Sequence, residues 1–204
     1  MAYESFTLDM LEDQFGLSVG QAGDLYGAVP SRAPSELLTA TLKRHLPLIM
    51  GKGTEKARSE LLIAPILVEA RAMLHENIAL FSGAAFNVDR KSGLHGYCDF
   101  LLSQDPLILE IKAPVVAIVE AKREDLSSGV AQCIAEMYAA QLFNQKRGKP
   151  HKTIFGALTS GTDWRFLQLE GKQATLDLRE YPITQIDNIL GVLVYMASRE
   201  ESSE

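Results

Sequence analysis

The sequence predicts an α/β fold in which a central mixed β-sheet is flanked by helices and preceded by a small helical extension. Three observations predict it. Residues 54–75 repeat apolar side chains at helical spacing. Residues 79–122 and 153–179 break into short apolar segments divided by turn residues. Two further helix patterns follow those segments, over 127–146 and 183–198.

Taken in order, residues 7–15 have helical spacing. Gly16, Gly20, Gly23, Gly27, Pro30 and Pro34 then punctuate a stretch that reads as loop. Ser35 is placed to cap a short helix ending near Leu46. These first 50 residues form the expected extension, and residues 51–204 form the main domain. Thr54 caps the strongest helix, with Leu61, Ile63, Ala64, Leu67, Val68, Ala70 and Leu74 on its apolar side. Pro65 predicts a kink or a restart, because proline lacks the backbone donor and crowds the preceding turn. Strands are expected over 79–89, 97–103, 107–112 and 115–122, with Gln104-Asp105-Pro106 as a turn. Ser127 and Ser128 are candidate caps for the next helix. Residues 153–160 and 164–170 read as a hairpin around Ser160-Gly161-Thr162-Asp163, and 173–179 as another strand.

Composition narrows the function classes. With 204 residues and 47% hydrophobic content, the chain can bury a real core. No apolar run approaches the ~20 residues that span a bilayer, so no membrane association is expected. Met-Ala-Tyr-Glu-Ser lacks the features of a signal peptide. Cys98 and Cys133 are too few for a disulfide framework and read as buried thiols, which predicts a cytoplasmic protein. The net charge of −6 opposes tight non-specific DNA binding, which draws on basic surface. Local basic clusters remain at Lys43-Arg44, 52–58, Arg90-Lys91, Lys122-Arg123 and 146–152.

The chemistry concentrates in two segments, Gly96-Tyr97-Cys98-Asp99-Phe100 and Val115-Val116-Ala117-Ile118-Val119-Glu120-Ala121-Lys122. Side chains alternate along a strand, so Glu120 and Lys122 share a face. The run before Glu120 is almost wholly apolar, as expected of a central buried strand. A carboxylate and an ammonium at its end are costly without partners or a metal. If the two strands pair, Asp99 and Glu120 meet at one sheet edge and form a hard oxygen site suited to Mg2+ or Mn2+, with Lys122 beside it. Glu110-Ile111-Lys112 has the same form, but no helix with an inward polar residue follows it directly, so Glu120 and Lys122 are preferred.

These residues, with Glu60 in Arg58-Ser59-Glu60-Leu61-Leu62 and Gln132 in Ala131-Gln132-Cys133-Ile134-Ala135-Glu136, resemble the PD-(D/E)XK nuclease superfamily, whose members are restriction-endonuclease-like. The resemblance spans roughly residues 54–169. It implies that Asp99 and Glu120 bind metal, that Lys122 stabilises charge or orients water, and that Glu60 and Gln132 support the site. Cys98 stands where the motif has proline. The implied function is divalent-metal-dependent hydrolysis of DNA phosphodiester bonds. Two alternatives stay open. One is a non-catalytic module of the same fold that binds protein or nucleic acid, as a homodimer or with another protein partner. The other is a metal enzyme acting on small phosphate esters.

Simpler readings apply elsewhere. Glu120 and Lys122 could be a surface ion pair. Gln132 and Glu136, one helical turn apart, could bond each other on an exposed face. The four histidines show no ligand spacing. Residues 51–54 lack the pattern of a phosphate-binding loop. Trp164 and Phe166 share a strand face, with core packing the default and base stacking the alternative.

Overall fold

The structure is a computed structural model and describes residues 2–51, 53–123 and 125–198. Lys52, in one of the basic clusters, and the polar tail after Ser198 lie outside the described residues.

The chain forms the α/β architecture that the sequence predicts, with eight strands in one mixed sheet among the described residues. The elements in order are α1 (Leu8–Phe15), β1 (Ser18–Ala22), α2 (Glu36–Ile49), α3 (Glu55–Arg58), a π-helical turn (Ser59–Ile63), α4 (Ala64–Met73), β2 (Ala79–Ala85), β3 (Tyr97–Ser103), β4 (Val115–Ala121), a 3-10 turn (Leu126–Gly129), α5 (Val130–Lys146), β5 (Thr153–Thr159), β6 (Asp163–Glu170), β7 (Gln173–Asp177), β8 (Tyr181–Pro182) and α6 (Ile186–Ser198). The strand order is β1-β7-β6-β5-β4-β3-β2, with β8 added to β6. Strands β2, β3 and β4 run antiparallel. Strand β5 lies parallel to β4, which requires a crossover, and α5 supplies it.

Two apolar layers sandwich the sheet. One face packs Phe100, Val119, Ala121, Phe155 and Phe166 under α2, α4 and α6. The other packs Leu101, Ile118, Ile154 and Leu158 under α5 and α1. Strand β4 is buried along its whole length, as its apolar run requires. Among the described residues, no helix is long and apolar enough to cross a membrane.

Several elements differ from expectation. Residues 107–112 form no strand. Leu107, Ile108 and Leu109 are exposed in an irregular loop, since a short apolar run without a pairing partner cannot complete its backbone hydrogen bonds as a strand. Conversely, Ser18–Ala22, read as loop, pairs parallel with β7. Its two-residue alternation is masked by Gly20 and by exposure at the sheet edge. The first 50 residues, expected as a helical extension, thus contribute this edge strand as well. Tyr3, Phe6, Leu11 and Leu17 enter one core and Tyr26, Leu38, Leu42 and Ile49 the other. The restart at Pro65 is present in altered form. A π turn over Ser59–Ile63 precedes it, and Pro65 falls in the first turn of α4, where its missing N–H matters least. Asp125, not Ser127 or Ser128, caps the approach to α5, with its carboxylate accepting from Ser127 N–H at 2.9 Å. Trp164 and Phe166 are fully buried core residues, which rules out the base-stacking alternative for them.

Candidate active site

The site gathers where β3 begins and β4 ends, beside the start of α5. Phe100 pairs with Val119, and the next residues outward along the two strands are Asp99 and Glu120. Glu120 in turn pairs with Leu158 of β5, and Lys122 N–H donates to Thr159 O at 2.8 Å. Three strands therefore fix the backbone of the Glu120-Ala121-Lys122 triplet.

The side chains form a connected line. Lys122 Nζ donates to Glu120 Oε1 at 2.6 Å and to Gln132 Oε1 at 3.2 Å. Gln132 Nε2 donates to Glu136 Oε1 at 3.1 Å. Asp99 Oδ2 accepts from Ala121 N–H at 2.8 Å, which ties the carboxylate to the strand that carries its neighbour. The orientation of the Gln132 amide follows from chemistry. An ammonium can only donate, so the amide oxygen faces Lys122 and the amide NH2 is left for Glu136.

Burial sets the electrostatics. Glu120 is only 2% exposed. Burial, then repulsion from Asp99, pushes its carboxyl up to about 7, against the pull of Lys122. Burial also raises the Asp99 pKa, although Ala121 N–H and Lys122 favour the charged form. Burial works most strongly against the Lys122 charge, but the charge and hydrogen bond of Glu120, with Glu55 and Asp99, together leave the pKa raised. Lys122 is therefore a held cation. Glu136 is completely buried, and burial followed by the Glu120 charge keeps its carboxyl protonated well beyond the usual range. One oxygen each of Glu120 and Glu136 is buried with no hydrogen-bond partner.

The predicted residues occupy different positions. Asp99, Glu120, Lys122 and Gln132 come together directly. Glu60 does not join the hydrogen-bonded line. It is exposed on the π turn, 3.8 Å from Lys56, and lines a cleft of about 280 Å³ that also contains Asp99, Ala121, Lys56 and Glu55. Glu110 and Lys112 pair with each other on the exposed loop, away from this line. Gln132 and Glu136 do bond across one helical turn, but towards the sheet and not on an exposed face.

Two residues of this neighbourhood, Glu55 and Gly129, went unread in the sequence, and Glu136 was read only as a partner of Gln132 on an exposed face. Glu55 adds negative potential that raises the pKa of both Glu120 and Lys122. Glu136 anchors Gln132 from inside the core. Gly129 leaves room for the lysine, because a Cβ there would stand 2.7 Å from Lys122 Cε and 2.9 Å from Leu158 Cδ2. A glutamate inside the apolar face of α5 was the available signal for Glu136. Nothing in the local sequence marks Gly129.

Cys98 and Cys133 are buried and free, and burial raises both thiols well above their ordinary pKa. They are unsuited to nucleophilic work. Among the described residues, no group of three or more His, Cys, Asp and Glu side chains gathers as a metal cage. A two-carboxylate arrangement is the one that magnesium commonly uses, with water and substrate phosphate filling its other positions. Comparison with models of known families, with curated proteins and with solved structures gives no match.

Proposed function

We propose that this chain is a divalent-metal-dependent phosphodiesterase acting on DNA, built on a restriction-endonuclease-like core. The observation that carries the reading is the buried Glu120 oxygen without a partner, on a carboxylate that Asp99 repels. An unpaired buried carboxylate oxygen is costly, and a cation shared with Asp99 would remove both penalties. The donor set is all oxygen, which suits Mg2+ or Mn2+. The order of helix glutamate, strand aspartate, strand triplet and helix glutamine agrees with the family that the sequence resembles.

Asp99 and Glu120 would hold the ion, and the ion when bound lowers the pKa of water and polarises a phosphate oxygen. The remaining work belongs to the protein. Glu120 and Gln132 hold the Lys122 ammonium in place, where it offsets negative charge that builds on the phosphate in the transition state. Asp99 is held by the Ala121 N–H, so the carboxylate needs little reorganisation. Lys56, exposed at the cleft rim, offers a contact to a flanking phosphate.

The test is cleavage of single- and double-stranded DNA in Mg2+ or Mn2+ by wild type and Asp99→Ala. Metal-dependent cleavage lost in the variant supports the proposal. No cleavage by wild type of any DNA substrate, with or without metal, overturns it.

A further inference from the structure

Beside the proposed site lies a second hollow with a different chemistry. A cavity of about 220 Å³ is lined by Ala2, Tyr3, Glu4, Gly96, Tyr97 and Gln132. It shares Gln132 with the site, so it is one side chain removed from Lys122. Pockets for a whole drug-sized ligand run to ~300–1,000 Å³. This one is scaled to a single ring system.

Its most exposed large group is Tyr97, with 72% of its surface open to solvent. Tyr97 is the outermost residue of β3, whose inner residues are buried from Phe100 onward. An aromatic ring costs the protein apolar exposure there and contributes nothing to either core. Tyr3, another lining residue, is held by hydrogen bonds. Tyr3 is buried, its hydroxyl donates to Phe86 O at 2.7 Å, and its N–H donates to His95 O. Gly96 lets the chain pass close to that ring, since a Cβ would meet Tyr3 Cδ2 at 3.0 Å, and its φ of +148° suits glycine.

Among the described residues, the lining contains no lysine or arginine. Glu4 is the one charged side chain among those described lining residues, which favours a neutral or donor-bearing occupant over a phosphate. A flat ring that stacks on Tyr97 and presents amino or imino donors to the Glu4 carboxylate is a good one. We propose that Tyr97 and this cavity bind one unstacked nucleobase, which makes single-stranded or locally opened DNA the substrate class of the adjoining site. The inference rests on the phosphodiesterase reading for its substrate, but its test reads binding and not cleavage.

The probe is a fluorescent oligodeoxythymidylate, and its hairpin duplex counterpart, titrated by anisotropy in Ca2+ with wild type, Tyr97→Ala and Tyr97→Phe. Base–aromatic stacking predicts that Tyr97→Ala weakens single-strand binding by about 5- to 100-fold. Tyr97→Phe stays within about twofold, duplex binding is unchanged, and melting curves match wild type. Equal single-strand affinity in Tyr97→Ala and wild type overturns the proposal. So does equal loss on duplex, a Tyr97→Phe defect as large as that of alanine, or no binding of the single strand by wild type. Failure of the phosphodiesterase reading shows separately, as absence of cleavage in Mg2+ with single-strand binding intact.

Discussion

Lys122 Nζ lies 2.6 Å from one carboxylate oxygen of Glu120, while the other oxygen of the same carboxylate is buried with no partner. The lysine therefore pairs one oxygen of a carboxylate that Asp99 repels. This pairing separates Glu120 from Glu110, whose pairing with Lys112 is exposed on a loop. Exposed pairs of that kind contribute little to stability.

Glu120→Ala is expected to abolish metal-dependent cleavage and to preserve the fold. Without metal it should melt at or above the wild-type temperature, because the alanine removes a buried, repelled carboxylate. Glu110→Ala should change neither activity nor melting. Cleavage assays beside melting curves check both. Loss of activity in Glu110→Ala with retention in Glu120→Ala would transfer the site to the other triplet.

The raised Glu120 pKa makes stability pH-dependent. The ordinary value of 4.5 becomes about 7 in the folded protein, so the native state holds this proton more tightly than the unfolded chain. The associated stability is present below about 4.5 and is lost as pH rises through about 7. Its size is about 3 kcal/mol or less. Metal-free wild type should therefore lose melting temperature between pH 5 and pH 8 relative to Glu120→Gln. Parallel pH profiles for the two proteins would contradict this.

Gln132→Ala should release the Lys122 ammonium from one of its two acceptors and lower activity by about 10- to 100-fold, the usual scale for groups that orient a metal-site residue. Glu136→Gln should keep most activity, since a neutral amide can still accept from Gln132. Glu136→Leu should resemble Gln132→Ala. Turnover rates for the three variants distinguish this line of contacts from simple packing, which would make Glu136→Gln as harmful as Glu136→Leu.

Gly129→Ala should act through Lys122. The new methyl would displace the flexible end of the lysine more readily than the backbone. The expected result is a melting temperature within a few degrees of wild type and a turnover rate reduced about tenfold or more. Unchanged turnover would mean that the lysine tolerates displacement.

Much of this arrangement was legible because strand alternation and burial act locally. The apolar run into Glu120 marked a central strand, and two-residue spacing put Glu120 and Lys122 on one face, as their hydrogen bond shows. The order of elements placed Gln132 at the first turn of α5, facing the lysine. Residues whose roles come from other parts of the chain were not legible. Ser18–Ala22 becomes a strand only because β7 offers an edge more than 150 residues later. Residues 107–112 have a strand's composition but find no edge. Gly129 matters only because Lys122 passes over it. Glu60 is helical as expected, yet the π turn leaves it at the cleft wall, beyond the hydrogen-bonded line.

If Asp99 and Glu120 share a divalent cation, a crystal structure with Mn2+ locates it through the metal's anomalous scattering. One peak is expected roughly 2.1 Å from a carboxylate oxygen of each residue, absent from crystals of Asp99→Ala grown in the same metal. Full Mn2+ occupancy elsewhere on the molecule, with no peak between Asp99 and Glu120, would contradict it.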